Sequence, residues 1–255
     1  VQILAGTSGY SYAPWKGNFY PEKLPAAKML GYYATKLPTV EINNTFYRMP
    51  KRELFEKWVS EVPAAFRFAI KAPQRITHIA RLLKCDEAVA TLADGASVLG
   101  ERLGPVLFQL PPNQKKDLPR LQAFLALLQE RAPALRAAFE FRHASWFDAE
   151  VNGALTAGNA ALCVADAEDL TTPVAATTSW GYLRLRRQDY DDAAVATWAA
   201  QMRAQPWRET YVFFKHEDEG RGPRLAEMLL GQVGQATNTD LNANPVVGQA
   251  LPESA

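Results

Sequence analysis

Residues 137–142, AAFEFR, decide the fold. The stretch begins as a buried strand would, yet Glu140 and Arg142 stand among its phenylalanines, and His143 follows directly. Successive side chains on a strand point to opposite faces, so Phe139 and Phe141 share one side while Ala138, Glu140 and Arg142 share the other. The phenylalanines are suited to a layer of helices. Glu140 and Arg142 then face an interior, with Arg142 toward the strand's C-terminal end.

Seven other β-rich runs recur along the chain: QILAG (2–6), TVEIN (39–43), FRFAIK (66–71), PVLFQL (105–110), ALCVAD (161–166), YLRLR (182–186) and TYVFFK (210–215). Amphipathic patterns lie between most of them, with Leu54, Phe55, Trp58 and Val59 on one face and Leu118, Leu121, Leu125 and Leu128 on another. Helix starts are marked by Asp117 before Leu118 and Pro119, by Asp191 and Asp192 before Val195, and by Pro223. Strand and helix in alternation produce a parallel sheet, and eight strands in about 250 residues fit an α/β fold, a single (βα)8 TIM-like barrel. DAEDLTTPVAATTSW, between the sixth and seventh strands, has scarcely room for a helix and is read as an irregular connection. The barrel is expected over residues 1–231, and residues 232–255, without aromatics or a sustained period, are read as a loosely packed or extended C-terminal tail.

Composition narrows the function classes. Hydrophobic residues at 48% and charged residues at 22% of 255 suit a globular domain. Lys plus Arg (28) against Asp plus Glu (27) leaves +1, so no whole-molecule field draws the chain to nucleic acid or membrane. Cys85 and Cys163 have no C-x-x-C spacing, no apolar run reaches membrane length, and VQILAGTSGY lacks the pattern of a signal peptide. These features point to a cytoplasmic location. His78, His143 and His216 are the only histidines and form no H-E-x-x-H, so neither a metal nor another cofactor is expected.

Five longer motifs stand in order: GTSGYSYAPWKGNFYP (6–21), EINNTFYRMP (41–50), FAIKAPQRITH (68–78), FQLPP (108–112) and FEFRHASWF (139–147). Together they resemble the successive signatures of the YecE-like family, domain of unknown function 72, over roughly residues 3–230. The resemblance implies a TIM-like barrel but no secure reaction. RLRRQDY (184–190) and FFKHEDEGRG depart from the pattern common in that family, at the face where barrels build their sites.

Alternation turns Glu41, Asn43, Lys71, Gln109, Tyr182, Arg184, Arg186 and Lys215 inward as well, and leaves the parity of Asp166 open. Lys71, Arg142, Arg184, Arg186 and Lys215 against Glu41, Glu140 and Asp166 give the mouth 5 minus 3, or +2. The leading expectation is an enzyme acting on a small anionic substrate bearing phosphate or carboxylate. Arg142, Lys71, Arg184, Arg186, Lys215, Asn43 and Gln109 would bind it, Tyr10 and Trp146 would contact it from the rim, and Glu140, Glu41 or Asp166 would move a proton. A metal-independent hydrolase, isomerase or lyase fits this pattern. Two other readings stay open: a closed salt-bridge network that merely fills the barrel, and a noncatalytic binder of an anion or a nucleic-acid end. A lysine Schiff base at Lys71 or Lys215 is a further minority reading. His143 is read as supporting, and the glycines of HEDEGRGP (216–223) as a turn.

Overall fold

The computed structural model describes residues 1–234, so the expected tail lies, from residue 235 onward, outside the described residues. Eight parallel strands close into a barrel in sequence order. They are β1 (Gln2–Ser8), β2 (Thr39–Ile42), β3 (Arg67–Lys71), β4 (Leu103–Gln109), β5 (Ala137–Glu140), β6 (Ala161–Asp166), β7 (Trp180–Leu185) and β8 (Glu209–Phe214). β1 and β8 seal the ring through paired residues from Gln2 with Glu209 to Thr7 with Phe214. β1 approaches β2 so closely that a Cβ on Gly6 would lie 2.0 Å from the Thr39 carbonyl oxygen, which only glycine permits.

Among the described residues seven α-helices coat the barrel: α1 (Met29–Lys36), α2 (Arg52–Glu61), α3 (Asp86–Ser97), α4 (Leu118–Arg131), α5 (Ala149–Ala157), α6 (Asp192–Arg203) and α7 (Arg221–Gln232). None stands between β6 and β7, where the Thr- and Ala-rich connection is irregular as its composition implied. Asp117 and Asp191 cap α4 and α6 by accepting from the Arg120 and Ala194 amides, which satisfies donors the first helical turn leaves free. Pro223 is the third residue of α7 rather than its first, because Gly220, at φ +75°, serves as the cap. Leu54 leaves the expected apolar face of α2 and is 38% exposed, while Phe55 and Trp58 are buried.

Side-chain alternation holds around the ring. Phe139 and Phe141 face the helices, where Phe139 lies 5.3 Å from the Phe108 ring and Phe141 stacks on Trp146 at 4.5 Å. Burying each such ring contributes about 1.5–3 kcal/mol. Inside, Ala69, Leu107, Ala138, Cys163, Tyr182 and Phe213 belong to an apolar cluster that fills the barrel. At its lower end Arg136 lies over the Trp180 ring at 4.4 Å and pairs with Glu209 at 3.0 Å. The lumen is therefore packed below and polar above, leaving the C-terminal mouth for chemistry. Several strands end earlier than the sequence pattern implied. β5 stops at Glu140, β2 at Ile42 and β8 at Phe214, so Arg142, Asn43 and Lys215 stand on the first residues of the loops.

Candidate active site at the C-terminal mouth

Two carboxylates, each fully buried, sit one layer above the apolar filling: Glu41 on β2 and Glu140 on β5. Such groups persist only if paired and hydrogen-bonded, and Arg184 on β7 supplies the pairing. One of its terminal nitrogens lies 2.6 Å from Glu140 Oε2 and the other 2.9 Å from Glu41 Oε1. The remaining carboxylate sites are also filled. Tyr182 donates to Glu41 Oε2 at 2.7 Å, and Ser8 and Asn43 donate to Oε1 at 2.7 and 3.0 Å. Gln109 donates to Glu140 Oε2 at 2.9 Å, and Arg186 donates to Oε1 at 3.0 Å.

This packing sets the protonation states. Burial alone would raise the Glu140 carboxyl, but Arg184 and then Arg186 overcome it and hold the group at about 2. Glu41 is likewise held below its ordinary value, with burial opposed chiefly by Arg184 and then by the Tyr182 hydrogen bond. Both are therefore anions committed to their partners. Lys71, on β3, differs. Its Nζ donates to Gln109 Oε1 at 2.8 Å and lies 4.3 Å from the Phe46 ring centroid, and among the described residues no carboxylate forms an ion pair with it. Burial first, and the Arg184 charge second, lower its pKa to about 8.

A cavity of about 440 Å³ opens beside this network, over the ends of β5 to β8. Arg142, Arg186 and Lys215 line it together with Glu168, Asp169, Glu217 and Asp218, besides Ala167 and Gln188. Three cations thus face four carboxylates, which corrects the expectation of a cationic mouth. The strand ends supply the positive groups, while the loops after β6 and β8 bring in the acids. Arg142 lies 3.5 Å from Asp169, and Arg186 bridges the buried layer and the open space through its contact with Glu140.

A profile described as "Protein of unknown function DUF72" matches residues 4–249. The chain belongs to the DUF72 family. UPF0759 protein YunF of Bacillus subtilis is 32% identical over 138 residues, which cover 51% of this chain and 48% of that protein. UPF0759 protein YecE of Escherichia coli K12 is 37% identical over 94 residues, or 36% and 35% of the two chains. The chain thus aligns with about half or less of the length of these curated relatives. A DUF72 family protein from Thermotoga maritima superposes with a TM-score of 0.79 at 26% identity, covering 92% of this chain and all of that one (100%). One from Enterococcus faecalis gives 0.78 at 19% identity over 92% and 96% of the chains, a likeness of fold.

In this DUF72 barrel the mouth brings together Glu41, Glu140, Arg184, Arg186, Lys71, Gln109 and Asn43, while Arg142 and Lys215 stand on the cavity wall. Three expected site residues lie elsewhere. Asp166 follows the outward register of Val164 and is occupied by Arg187 at 2.9 Å and by the Tyr190 hydroxyl at 2.8 Å, so it ties down the loop after β7. Trp146 is buried against Phe141, and its indole N–H donates to the Gln114 carbonyl at 2.8 Å. Tyr10 is half-buried against the apolar layer under α1 and α2, 6.4 Å from the Tyr33 ring. The rim aromatic that does reach the site is Phe46, under Lys71.

His143 accepts the Ser145 amide at 3.2 Å and caps a short turn, a supporting role as its position implied. His216 bonds the Arg187 carbonyl and is held below its ordinary pKa by burial. Among the described residues no group of three or more His, Cys, Asp or Glu is placed to hold a metal ion. No described helix is long and apolar enough to cross a membrane. Ser8 and Tyr182 complete the Glu41 clamp. Tyr182 was visible as an inward residue, whereas a serine ending β1 carried no signal of its own.

Proposed function

We propose that this protein is an enzyme that binds a small anion-bearing molecule in the mixed-charge cavity at the C-terminal mouth of the barrel. The observation that carries this reading is Arg186, whose guanidinium is anchored on buried Glu140 yet lines the open cavity with Arg142 and Lys215. An arginine fixed from behind by a carboxylate presents its remaining N–H donors in a set direction, the arrangement that suits phosphate or carboxylate. Acids at 168, 169, 217 and 218 would accept hydrogen bonds from hydroxyl or ammonium groups elsewhere on the ligand, so a polar, multifunctional metabolite fits better than a bare anion.

Glu140 and Glu41 act here as anchors rather than proton carriers. A carboxyl held at about 2, with both oxygens occupied, is a weak base at neutral pH. Inorganic phosphate and pyruvate, titrated by thermal shift, are expected to stabilise the wild-type protein, with R186M losing most of that gain. Glu140 keeps Arg184 and Gln109 in this variant. Incubating a small-molecule extract with each protein should then reveal an anionic component consumed by the wild type and spared by R186M. No shift with either anion, or equal shifts in both proteins, would refute the assignment of Arg186.

A further inference from the structure

Among the described residues of the mouth, Lys71 is a cation that forms no ion pair with the anchoring carboxylates. Glu41 spends its oxygens on Arg184, Tyr182, Ser8 and Asn43, and Glu140 spends its own on Arg184, Arg186 and Gln109. The amine sits on the inward side at the end of β3, half-buried, steadied by the Gln109 carbonyl oxygen and an aromatic face. Burial and the neighbouring Arg184 and Arg186 charges disfavour the charged form there, against the pull of Glu41 and Glu140, and an amine that is deprotonated more readily becomes a nucleophile.

We infer that Lys71 forms a covalent imine with an aldehyde or ketone carbonyl of the ligand, making carbonyl-bearing anions the substrate class. This rests on the reading of the mouth given above. In the step itself the neutral Nζ donates its lone pair to the carbonyl carbon, and the π pair moves to oxygen. That oxygen takes up a proton while nitrogen releases one. After a second protonation it leaves as water with the C–O pair, and the nitrogen lone pair closes the C=N bond. Water reverses the sequence, and no oxidant or reductant is needed.

The charged groups acting on the amine are Glu41 on β2 and Glu140 on β5, which favour its charged form, and Arg184 on β7 with Arg186 just beyond it, which oppose it, while His78 stands on the loop that follows β3. Burial leads the cationic groups in lowering its pKa to about 8, against an ordinary lysine value of 10.5. The neutral fraction at pH 7.5 is then larger by two orders of magnitude, and even with the weaker intrinsic nucleophilicity of a less basic amine Lys71 should react about tenfold faster than a surface lysine.

The test is trapping with sodium cyanoborohydride at pH 7.5, using glyoxylate as an anionic aldehyde and propanal as a neutral one, followed by peptide mapping. The expected result is a reduced adduct on Lys71 formed about tenfold faster than on exposed Lys23 and Lys28, with a half-point near pH 8, and its loss in K71R. Faster trapping by glyoxylate than by propanal, with the advantage removed in R186M, supports both the amine and the anion site. Selective trapping by propanal without a glyoxylate advantage upholds the imine and overturns the anion reading. Anion-induced thermal stabilisation with Lys71 modified no faster than Lys23 or Lys28 overturns the imine and leaves the anion site standing.

Discussion

Glu140→Gln removes one charge from the sealed layer while keeping the shape of the side chain, so its cost measures the electrostatics almost alone. In the wild type the layer sums Lys71, Arg184 and Arg186 against Glu41 and Glu140, 3 minus 2, or +1. The variant leaves +2, and its amide must turn an N–H toward a guanidinium. The Glu140 carboxyl falls from 4.5 to about 2 in the fold. At about 1.36 kcal/mol per tenfold change in proton affinity, that corresponds to about 3 kcal/mol. The figure agrees with the roughly 3–5 kcal/mol typical of breaking a buried ion pair. Because the folded value lies below the unfolded one, this stability is fully present above the unfolded pKa and is lost as pH falls toward about 2. Urea unfolding followed by circular dichroism at neutral pH should place E140Q about 3 kcal/mol below the wild type, or about 6–12 °C lower in Tm. Below about pH 4.5 the deficit should shrink, because the wild type then gives up the same contribution. A neutral-pH deficit under about 1 kcal/mol, or one that stays constant as acid is added, would refute the reasoning.

Lys71→Met should act in the opposite sense. A lysine whose folded pKa is depressed to about 8 destabilises the fold while charged, and wild-type stability rises as pH climbs from about 8 to 10.5. After allowing for the lost Gln109 hydrogen bond, the variant is expected to gain about 1–2 kcal/mol at pH 7 and to lose that advantage by pH 10.5, whereas a variant weaker than wild type at pH 7 would contradict it. Thr177 anchors the irregular connection, accepting from the Leu162 amide at 2.9 Å and donating to the Ala160 carbonyl at 2.8 Å. Thr177→Val strands both backbone groups and should cost about 2 kcal/mol in denaturant unfolding, and a change below about 0.5 kcal/mol would show that water replaces the hydroxyl.

The parity of AAFEFR was enough to separate Phe139 from Glu140, because a two-residue period has only two outcomes and the phenylalanines needed the helix layer. The same logic placed Glu41, Lys71, Gln109 and Arg184 correctly. It left Asp166 open, since that strand ends where the chain turns, and it did not reach Trp146 and Tyr10, since proximity to a strand end says nothing of where a loop folds back. Counting only strand ends also left the acidic rim out of the expected charge of the mouth. DAED (166–169) and HEDE (216–219) were in plain view, but whether loop acids face a cavity or solvent depends on backbone turns such as Glu219 and Gly220, both at positive φ. Pairing is a three-dimensional property too. That Lys71 would be left without a carboxylate follows only once Arg184 is seen to hold both.

The layer between barrel and helices divides into two clusters, with a consequence for how the chain folds. One draws on β4, β5 and α3 to α5, a continuous run of sequence. The other joins Leu30, Tyr33 and Phe55 near the start to Leu225 and Leu229 near the end. Closing a loop that long delays contact between its ends, whereas the middle segment needs only neighbours. During synthesis the central segment is expected to gain hydrogen-exchange protection first, while β1, α1 and α2 remain exposed until the final strand and α7 emerge. The N-terminal motif residues would then become ordered at the same moment as the C-terminal helix. Trp15 records this dependence in a single bond, its indole donating at 3.1 Å to the Glu217 carbonyl across two hundred and two positions of chain.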